Sequence, residues 1–328
     1  MADYSLNLAH NYTSHLLDFS IIIVNYNTCN LLEACLNSIY QSQGKPTFEI
    51  IVIDNNSQDG SVAMVRSRFE IVKVISNNEN QGFAKACNQG IRIAHGNYIL
   101  LLNSDTEVFP DTFEQLKQFL DNEHTDSKIG IVGCKIMNTD NTLQYSIGKF
   151  PTIYSTVKDM LRPPHKRKYC LDGYDESHEV DWVTGAFMLV DQRIIHDVGL
   201  LDERYFMYYE DVDWCLNAKN KGWKVFYYSK AKIIHKTPHA FKKNKASEKV
   251  DIEIRKSHLY YYRKNHTYLS FLILSFTTII LLLLECFFLW MAVFIEEETR
   301  QNRKRKTKLL LLTVWDTFWN LKRKVIRK

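Results

Sequence analysis

The sequence predicts an α/β fold in which a twisted, mostly parallel sheet is flanked on both sides by helices. Short apolar runs rich in Ile, Val and Leu, such as those that begin near residues 19 and 48, are typical of buried parallel strands. Between these runs, apolar residues recur at the three- and four-residue spacing of helices. Strands that alternate with helices form doubly wound sheets, which bind ligands outside the carboxyl ends of their strands.

This alternation is clearest in the first half of the chain. Strands are predicted at residues 19–27, 48–57, 71–76 and 97–105. Helices are predicted at residues 28–42, 59–69 and 82–94. The second half is less regular, with strands expected at 129–137, 180–191, 223–228 and 231–236 and helices at 110–122 and 210–221.

Charge is spread unevenly along the 328 residues. The formal net charge is +5, but residues 300–328 hold eleven Lys and Arg against one Asp, a charge of +10, which leaves −5 for residues 1–299. A basic tail of this kind suggests an anionic partner, either a membrane surface or a nucleic acid. The seven cysteines, none of them in a C-x-x-C pair, favour a reducing compartment without a disulfide framework.

The composition divides the chain into a lead-in, an α/β domain, a hydrophobic segment and a basic amphipathic tail, over residues 1–18, 19–265, 266–296 and 297–328. The lead-in shows no signal peptide. In the hydrophobic segment, 27 consecutive residues carry one charge, Glu285. As a helix this run would exceed the ~30 Å hydrocarbon core of a bilayer. We therefore predict a transmembrane or re-entrant segment, with a buried core helix as the alternative.

The tail repeats apolar residues at alternating three- and four-residue spacing, at Leu311, Val314, Phe318, Leu321 and Val325. Lys and Arg cluster close to its end. The pattern predicts an amphipathic helix on an anionic membrane surface. A helix contact between copies, which would make a homo-oligomer, is the alternative. Because an apolar run precedes the tail, lipid is favoured over nucleic acid as its partner.

Polar residues follow the predicted strands at the edge where a ligand would bind. Asp54 ends the second strand, where a turn would also explain it. Its carboxylate would suit a base N–H or a ribose hydroxyl, but no G-x-G-x-x-G is present, which disfavours a dinucleotide-binding dehydrogenase. Asn80 and Gly82 suit the cap and tight turn before the next helix. The amino end of that helix would suit a diphosphate, and Lys85 would add charge.

The fourth strand delivers Asn103 and Asp105, which share one face because they lie two residues apart. Oxygen ligands in this arrangement suit a hard divalent cation, although a turn is the alternative. His235 follows a later strand and would close the same crevice. A lone histidine in such a place is more often not a ligand.

Three acids begin the helix predicted at 210–221. Glu210 and Asp213 are three residues apart and share a face, whereas Asp211 is rotated from them by about 100°. Acids in a first turn suit the helix dipole, which explains at least one of the three. A catalytic base is the alternative explanation for another.

Seven stretches occur in one order along the chain: SIIIVNYN, IVIDNNSQDGS, NNENQGFAKACNQGI, NYILLLNSDTEV, WVTGAFMLV, FMYYEDVDWCLNAKNKGWKV and IIHK. Together they cover roughly residues 19–265 and resemble the family-2 glycosyltransferases, in particular the bacterial rhamnosyltransferase-like branch. The resemblance implies a GT-A fold with a Rossmann-like sheet. It also implies a nucleotide-diphosphate sugar donor and inversion at the anomeric carbon.

The resemblance further implies a role for each matched residue. It makes Asp211 the base that deprotonates the acceptor hydroxyl. It assigns donor binding to Asn25, Asp54, Asn80, Gly82, Phe83, Lys85 and Asn103. It assigns Mg²⁺ or Mn²⁺ binding to Asp105 and His235, and the acceptor pocket to Trp182, Gly185, Tyr209 and Glu210. Since Asn103 replaces the first carboxylate of the family's metal motif, we expect weaker metal binding that depends more on donor phosphates.

The resemblance and the hydrophobic segment together favour an inverting, metal-dependent enzyme that transfers a sugar, with rhamnose favoured, to a lipid-linked glycan for cell-surface polysaccharide. Its catalytic domain would lie on the cytoplasmic face of an inner or plasma membrane, without nucleic acid as a partner. A non-catalytic, membrane-tethered nucleotide-sugar-binding or scaffold protein is the alternative, and it would need Asp54 but not Asp211. A nucleotidyltransferase is disfavoured because no Gly-rich signature follows the first strand.

Overall fold

A mixed sheet of nine strands runs through the centre of the protein. The computed structural model describes residues 17–44, 46–123, 128–161, 173–236, 245–291, 307–308, 310–311 and 314–315. Within these residues the strands are β1 (Phe19–Asn25), β2 (Phe48–Asp54), β3 (Lys73–Ser76), β4 (Tyr98–Asn103), β5 (Thr106–Val108), β6 (Ile129–Met137), β7 (Ile147–Gly148), β8 (His178–Val180), β9 (Trp182–Val183), β10 (Phe187–Asp191) and β11 (Lys224–His235). The helices are α1 (Cys29–Tyr40), α2 (Ser61–Arg68), α3 (Phe83–Ile91), α4 (Thr112–Glu123), α5 (Ile153–Leu161), α6 (Gln192–Asp197), α7 (Glu210–Asn220), α8 (Lys245–Asn265) and α9 (Tyr268–Met291).

The strand order of the large sheet is β3-β2-β1-β4-β10-β6-β11-β5, with β8 paired to β11, while β7 and β9 form a separate pair. Strands β1 to β4 run parallel, as predicted. Strand β10 is antiparallel to both of its neighbours, and β11 is antiparallel to β5 and β8. The prediction of a mostly parallel sheet is therefore confirmed only in part, since six of the nine described strands share one direction and β5, β8 and β10 run in the other. Strand β10 is buried along its whole length, so its apolar run looks the same whichever way it runs.

Apolar layers cover both faces of the sheet. Helices α1, α2 and α4 pack on one face through residues such as Leu36, Val65 and Phe113. Helices α3 and α7 pack on the other face through residues such as Cys87 and Trp214. The buried stripe of α1 is the one that helical spacing predicted. Because both faces are covered, the exposed carboxyl edge of the parallel strands is left as the place for a site.

Three predicted strands differ in the structure. Residues 180–191, expected as one strand, form β9 and β10 with a break at Thr184, Gly185 and Ala186. Residues 223–228 and 231–236, expected as two strands, form the single strand β11, whose pairing with β6 shifts register between Tyr228 and Lys232. The irregularity that the sequence suggested is thus a bulge inside one strand.

Helices α8 and α9 pack against the start of α7 through a third apolar cluster. Its fully buried members include Tyr205 just before α7, Tyr262 of α8, and Phe271 and Leu274 of α9. Ser275 and Thr278 of α9 are also fully buried. One face of α9 therefore belongs to the same packed unit as the sheet.

The prediction of a transmembrane or re-entrant segment over residues 266–296 is not supported. Among the described residues, no helix has both the length and the apolar character to cross a membrane. The hydrophobic run corresponds in part to α9, whose inner face packs against protein and includes Ser275 and Thr278. The lead-in over residues 1–16 and most of the predicted tail helix lie outside the described residues.

Candidate active site

Strands β1 and β2 deliver Asn25 and Asp54 side by side to the carboxyl edge of the sheet. The register pairs these two residues, and the Asn25 side-chain amide donates to Asp54 Oδ2 at 2.8 Å. The backbone N–H of Ser57 donates to Asp54 Oδ1 at 2.8 Å. Asp54 is only 2% exposed. In the structure it therefore orders the loop after β2, and its contact with a nucleotide base stays a prediction.

Hydroxyl groups connect this pair to the end of β4. Thr28 Oγ1 donates to Asn25 Oδ1 at 2.6 Å and lies 2.9 Å from Ser104 Oγ. Ser104 stands between Asn103 and Asp105, so the β1 and β4 ends form one polar network. Sequence reasoning missed Thr28 and Ser104 in this role, since an isolated hydroxyl residue carries no signal until its spatial neighbour is known.

The segment before α3 is held against the segment before α7. Gly82 has φ of +85°, and a Cβ placed on it would lie 2.5 Å from the carbonyl oxygen of Phe206. The N–H of Phe83 donates to that same carbonyl at 2.7 Å. Asn80 Oδ1 accepts from the Gly82 N–H at 3.0 Å and so orders this turn, but the predicted cap at Asn80 is wrong, because Gly82 is the residue that precedes the helix. Only glycine combines this backbone conformation with so close an approach.

Two predicted residues lie at the margin of this arrangement. Lys85 is exposed on α3, and its charge adds to a hydrogen bond from Asn88 and to the charge of Arg92 in lowering the pKa of Glu203. The Trp182 indole N–H donates to the backbone oxygen of Lys149 at 3.0 Å. Their contacts with donor and acceptor stay predictions.

Asn103, Asp105 and His235 come together where β11 pairs with β5. Asp105 Oδ1 lies 3.1 Å from His235 Nε2, and Asn103 Nδ2 lies 3.4 Å from the same nitrogen. On the other side of the ring, His235 Nδ1 lies 2.6 Å from Gln144 Oε1. An amide oxygen can only accept, so Nδ1 carries a proton and Nε2 faces the Asp105 carboxylate. Sequence reasoning missed Gln144, which is 91 residues from His235 in the chain.

The side-chain chemistry of this cluster fits a divalent cation. A neutral imidazole with its proton on Nδ1 would aim the Nε2 lone pair at a carboxylate, which is unfavourable unless a proton or a cation lies between them. A histidine ligand held by a partner on its other nitrogen is the usual arrangement at metal sites. Among the described residues, no group of three or more His, Cys, Asp and Glu converges on one point. Asp105 and His235 would therefore be two ligands, with the others supplied by a bound substrate and water.

Asp211 is half-buried at the start of α7 and held in place by backbone donors. The N–H of Gly185 donates to Asp211 Oδ2 at 2.9 Å, and that of Val212 to Oδ1 at 2.8 Å. Burial raises the pKa of Asp211, against the opposing effect of these two hydrogen bonds. A Cβ placed on Gly185 would lie 3.2 Å from the Phe83 ring and 3.8 Å from Asp211 Cβ. The α3 segment, the break before β10 and α7 thus meet at Asp211.

Glu210 differs from Asp211 in its hydrogen bonds, because one of its carboxyl oxygens has no donor in the described part of the chain. It is buried, and its Oε2 has no hydrogen-bond partner among the described residues. Burial and the negative charge of Asp211 raise the pKa of Glu210 well above its ordinary value. Of the two adjacent carboxyls, Glu210 therefore favours its protonated form more strongly than Asp211, whose carboxylate accepts two backbone N–H groups.

The two tyrosines before Glu210 adopt strained backbone conformations and face different ways. Tyr208 and Tyr209 have φ of 70° and 68°, in the left-handed region that side chains disfavour. The Tyr209 ring stacks 5.1 Å from His258 of α8, whereas Tyr208 is 37% exposed. Burial, then the charges of Glu210 and Asp105, raise the pKa of Tyr208. The structure thus places Tyr208, which the sequence did not single out, near Glu210 and Asp105. The Tyr209 ring instead packs against α8.

Comparison with known proteins gives a consistent family. The family model described as "Glycosyl transferase family 2" matches residues 20–193. An N-acetylglucosaminyl-diphospho-decaprenol L-rhamnosyltransferase of Mycobacterium tuberculosis is 26% identical over 69% of this chain and 78% of its own. The low-salt glycan biosynthesis hexosyltransferase Agl10 of Haloferax volcanii is 25% identical over 73% of each chain. The mannosyltransferase PcManGT from Pyrobaculum calidifontis, solved in complex with GDP-Man and Mn²⁺, has a TM-score of 0.52 at 13% identity and covers 94% of this chain and 88% of its own.

Proposed function

Since the chain belongs to glycosyl transferase family 2, we propose that it transfers a sugar from a nucleotide-diphosphate donor to a hydroxyl group of a lipid-linked glycan. Rhamnose is the favoured sugar, because a relative that matches 69% of the chain is named a rhamnosyltransferase acting on a decaprenol-linked acceptor. The observation that carries the proposal is the half-buried Asp211 carboxylate, fixed by the Gly185 N–H beside Phe83. A single positioned base of this kind is what an inverting transfer needs.

In the proposed mechanism, Asp211 accepts the proton of the acceptor hydroxyl as that oxygen attacks the anomeric carbon. Burial keeps the carboxylate basic, while the Gly185 and Val212 N–H groups hold its orientation. The raised pKa of Glu210 favours its protonated form, in which it does not compete for that proton. One in-line displacement inverts the anomeric centre, so no covalent nucleophile is required.

Asp105 and His235 would hold the divalent cation, and Gln144 fixes the His235 ring for this task. When bound, Mg²⁺ or Mn²⁺ neutralises charge that develops on the leaving nucleotide diphosphate. Asn80, Gly82 and Phe83 would line the donor pocket. The neighbouring complex with GDP-Man and Mn²⁺ supports a metal-dependent reaction on this fold.

We further propose that the protein meets its acceptor at an anionic membrane surface, on the cytoplasmic face of an inner or plasma membrane. Support comes from α9, whose outer face exposes apolar residues at alternating three- and four-residue spacing: Leu269, Ile273, Phe276, Ile280, Leu283 and Phe287. No charged residue interrupts this face between residues 269 and 284. Lys and Arg are abundant further along the chain, over residues 300–328. Apolar surface combined with basic charge suits contact with anionic lipid.

A donor screen tests the proposed function. Purified full-length protein is incubated with Mg²⁺ or Mn²⁺, a polyprenyl-diphosphate-linked N-acetylglucosamine acceptor and a panel of nucleotide-diphosphate sugars that includes dTDP-rhamnose. We expect transfer with inversion, and the preferred donor identifies the sugar. Absence of transfer from every donor, with the protein folded and the acceptor dispersed, would contradict the proposal.

Asp211→Asn is the matched control for this assay. We expect transfer to fall by at least ~10²-fold, since the general base is removed, while donor binding measured by calorimetry changes little. The melting temperature should also change little, because loss of a buried charge offsets loss of one backbone hydrogen bond. Full transfer by this variant would exclude Asp211 as the base.

A further inference from the structure

Helix α8 is fastened at two places to the segment that begins α7. The Ser257 hydroxyl donates to the backbone oxygen of Met207 at 2.7 Å. Near the other end of α8, Lys264 Nζ and Asn265 Nδ2 donate to the two oxygens of Asp213 at 2.6 and 2.7 Å. Ser257 is 3% and Asp213 1% exposed, so neither group has water as an alternative partner.

The backbone between these two fastenings is strained. Tyr208 and Tyr209 both have positive φ, and neither is glycine. Such conformations persist only where surrounding contacts hold them. The Tyr209 ring stacks on His258 and also lies 5.4 Å from the Tyr261 ring, both on α8. The contacts described above thus hold this turn mainly from α8. The hydrogen bond between Phe206 and Phe83 is the exception.

Asp213 had an ordinary explanation in the sequence as a first-turn acid. The structure gives it a further one, because its carboxylate accepts from four side chains: Lys264, Asn265, Tyr205 and Asn217. Two of these donors are on α8 and one precedes the strained turn. A buried carboxylate with this many donors fixes the elements that supply them.

We propose that Ser257 and Asp213 are positioning residues for Asp211, acting through the strained turn. The inference rests on the proposed transferase function and deepens it by adding α8 to the machinery of the site. Tyr209 is the residue immediately before α7, so the turn sets the direction in which that helix starts. When Ser257 releases Met207, the turn relaxes toward ordinary φ values. The Asp211 carboxylate then moves relative to the acceptor hydroxyl, and small displacements of a catalytic group lower the rate strongly.

Steady-state kinetics with three variants test the proposal. Ser257→Ala removes the donor to Met207, and Ser257→Thr keeps a hydroxyl at the same position. Tyr227→Phe is the control, because Tyr227 also donates one buried hydroxyl to a backbone oxygen, that of Tyr174 at 2.9 Å, in the first half of β11. We expect kcat to fall about tenfold or more in Ser257→Ala with the donor KM within about twofold of wild type.

In the same assay, Ser257→Thr should restore most of the kcat, and Tyr227→Phe should leave it unchanged. A kcat that Ser257→Ala does not lower, or that Tyr227→Phe lowers equally, would overturn the proposal. If Ser257→Thr overpacks and fails to fold, Lys264→Met tests the second fastening. It keeps the apolar stem and removes the ammonium group that bonds Asp213, and it should show the same loss of kcat at constant donor KM.

Amide hydrogen exchange separates failure of this inference from failure of the proposed function, because it needs no substrate. We expect faster exchange over residues 207–213 in Ser257→Ala than in wild type, and no such change in Tyr227→Phe. Unchanged exchange in Ser257→Ala would overturn the role of α8. If wild type shows no transfer but Ser257→Ala shows the expected exchange, the proposed function fails while the hold of α8 on the turn stands.

Discussion

At the scale of single residues, the site depends on two neighbouring carboxyls that differ in what surrounds them. Asp211 accepts two backbone N–H groups, whereas Glu210 Oε2 has no partner among the described residues. Desolvation raises the pKa of both carboxyls, but only for Glu210 does the charge of its neighbour raise the pKa further. This difference favours the protonated form of Glu210 and supports the basic role that we propose for Asp211.

Glu210→Gln should stabilise the protein by an amount that grows with pH. The pKa of Glu210 is higher in the folded than in the unfolded chain, so the folded state binds the extra proton and loses stability as pH rises above the ordinary value of 4.5. Glutamine has the same shape and does not titrate. Denaturant unfolding between about pH 5 and pH 8 should therefore show a widening gap between variant and wild type. A gap that is constant with pH would contradict the raised pKa.

Gly82→Ala should weaken both folding and donor binding. A Cβ at residue 82 would lie 2.5 Å from the Phe206 carbonyl oxygen, and the φ of +85° is itself unfavourable for alanine. Gly60→Ala is the control, since Gly60 has the same φ but nothing within 4 Å of its Cβ position. We expect a loss of at least ~2 kcal/mol in unfolding free energy for Gly82→Ala and about 1 kcal/mol for Gly60→Ala.

The donor KM should rise only in Gly82→Ala, because Gly60 lies outside the segment proposed to bind the donor. Equal losses of stability in the two variants would show that the contact with Phe206 does not constrain residue 82.

At the scale of elements, sequence patterns predicted those helices and strands that depend only on residues close together in the chain. The stripe of α1, the parallel strands β1 to β4 and the start of α7 follow from spacing of 3.6 or from continuous apolar runs. The direction of β10 does not, because a strand buried on both faces has no pattern that marks its direction. The merging of two predicted strands into β11 depends on pairing with β6, which is a tertiary contact.

The candidate site divides in the same way. Asp54, Asp105 and Asp211 follow or begin elements, so their positions along the chain marked them. Gln144 lies after β6 in a segment with no regular structure, and only the fold brings its amide within 2.6 Å of His235. The contacts of α8 with the start of α7 could not be predicted, because they join residues far apart in the chain. The contact of Ser257 with Met207 spans 50 residues.

Gln144→Ala should lower the affinity for Mn²⁺ without unfolding the protein. The Gln144 oxygen fixes the His235 ring with Nε2 toward Asp105, and loss of such a partner typically costs about 10-fold or more in metal affinity. Electron paramagnetic resonance of Mn²⁺ in the presence of nucleotide diphosphate measures this directly. Gln118→Ala is the control, because Gln118 contacts only Glu114 one turn away on the surface of α4 among its described partners. Equal Mn²⁺ affinity in the two variants would exclude a role for Gln144.

At the scale of the whole molecule, α8 and α9 are part of the packed unit that carries the site. Phe271 and Leu274 of α9 are fully buried in one cluster with Tyr205 and Val212, which flank the strained turn. The helices therefore have two faces with different surroundings: an inner face that packs on the catalytic domain and, on α9, an outer apolar face that is exposed.

Removal of residues 267–328 should destabilise the catalytic domain. The truncation exposes the cluster around Tyr205, so we expect a lower melting temperature and reduced donor hydrolysis as well as reduced transfer. The double substitution Ile273→Glu and Ile280→Glu changes only exposed positions of α9. It should keep the melting temperature and donor hydrolysis but lower transfer to an acceptor embedded in anionic vesicles.

Ile71→Glu is the matched control for that double substitution, since Ile71 is an exposed isoleucine between α2 and β3. It should leave transfer unchanged in the same vesicles. A truncated protein with wild-type melting temperature would contradict the structural role of α9. Equal transfer by the double variant and Ile71→Glu would contradict lipid contact through its outer face.

The hydrogen bond from the Phe83 N–H to the Phe206 carbonyl has a consequence for how the two substrates affect each other. It joins the segment proposed to bind the donor to the segment that leads into Asp211, the proposed base. A donor that orders the first segment should therefore also order the second, which lowers the cost of binding the acceptor. By thermodynamic linkage, the acceptor has the same effect on the donor. An acceptor that settles the turn beside Asp211 should tighten the donor by the same factor by which the donor tightens the acceptor. One coupling free energy can therefore be measured from either affinity. Donor hydrolysis, in which water replaces the acceptor, should gain less from an aligned base than transfer with both substrates bound.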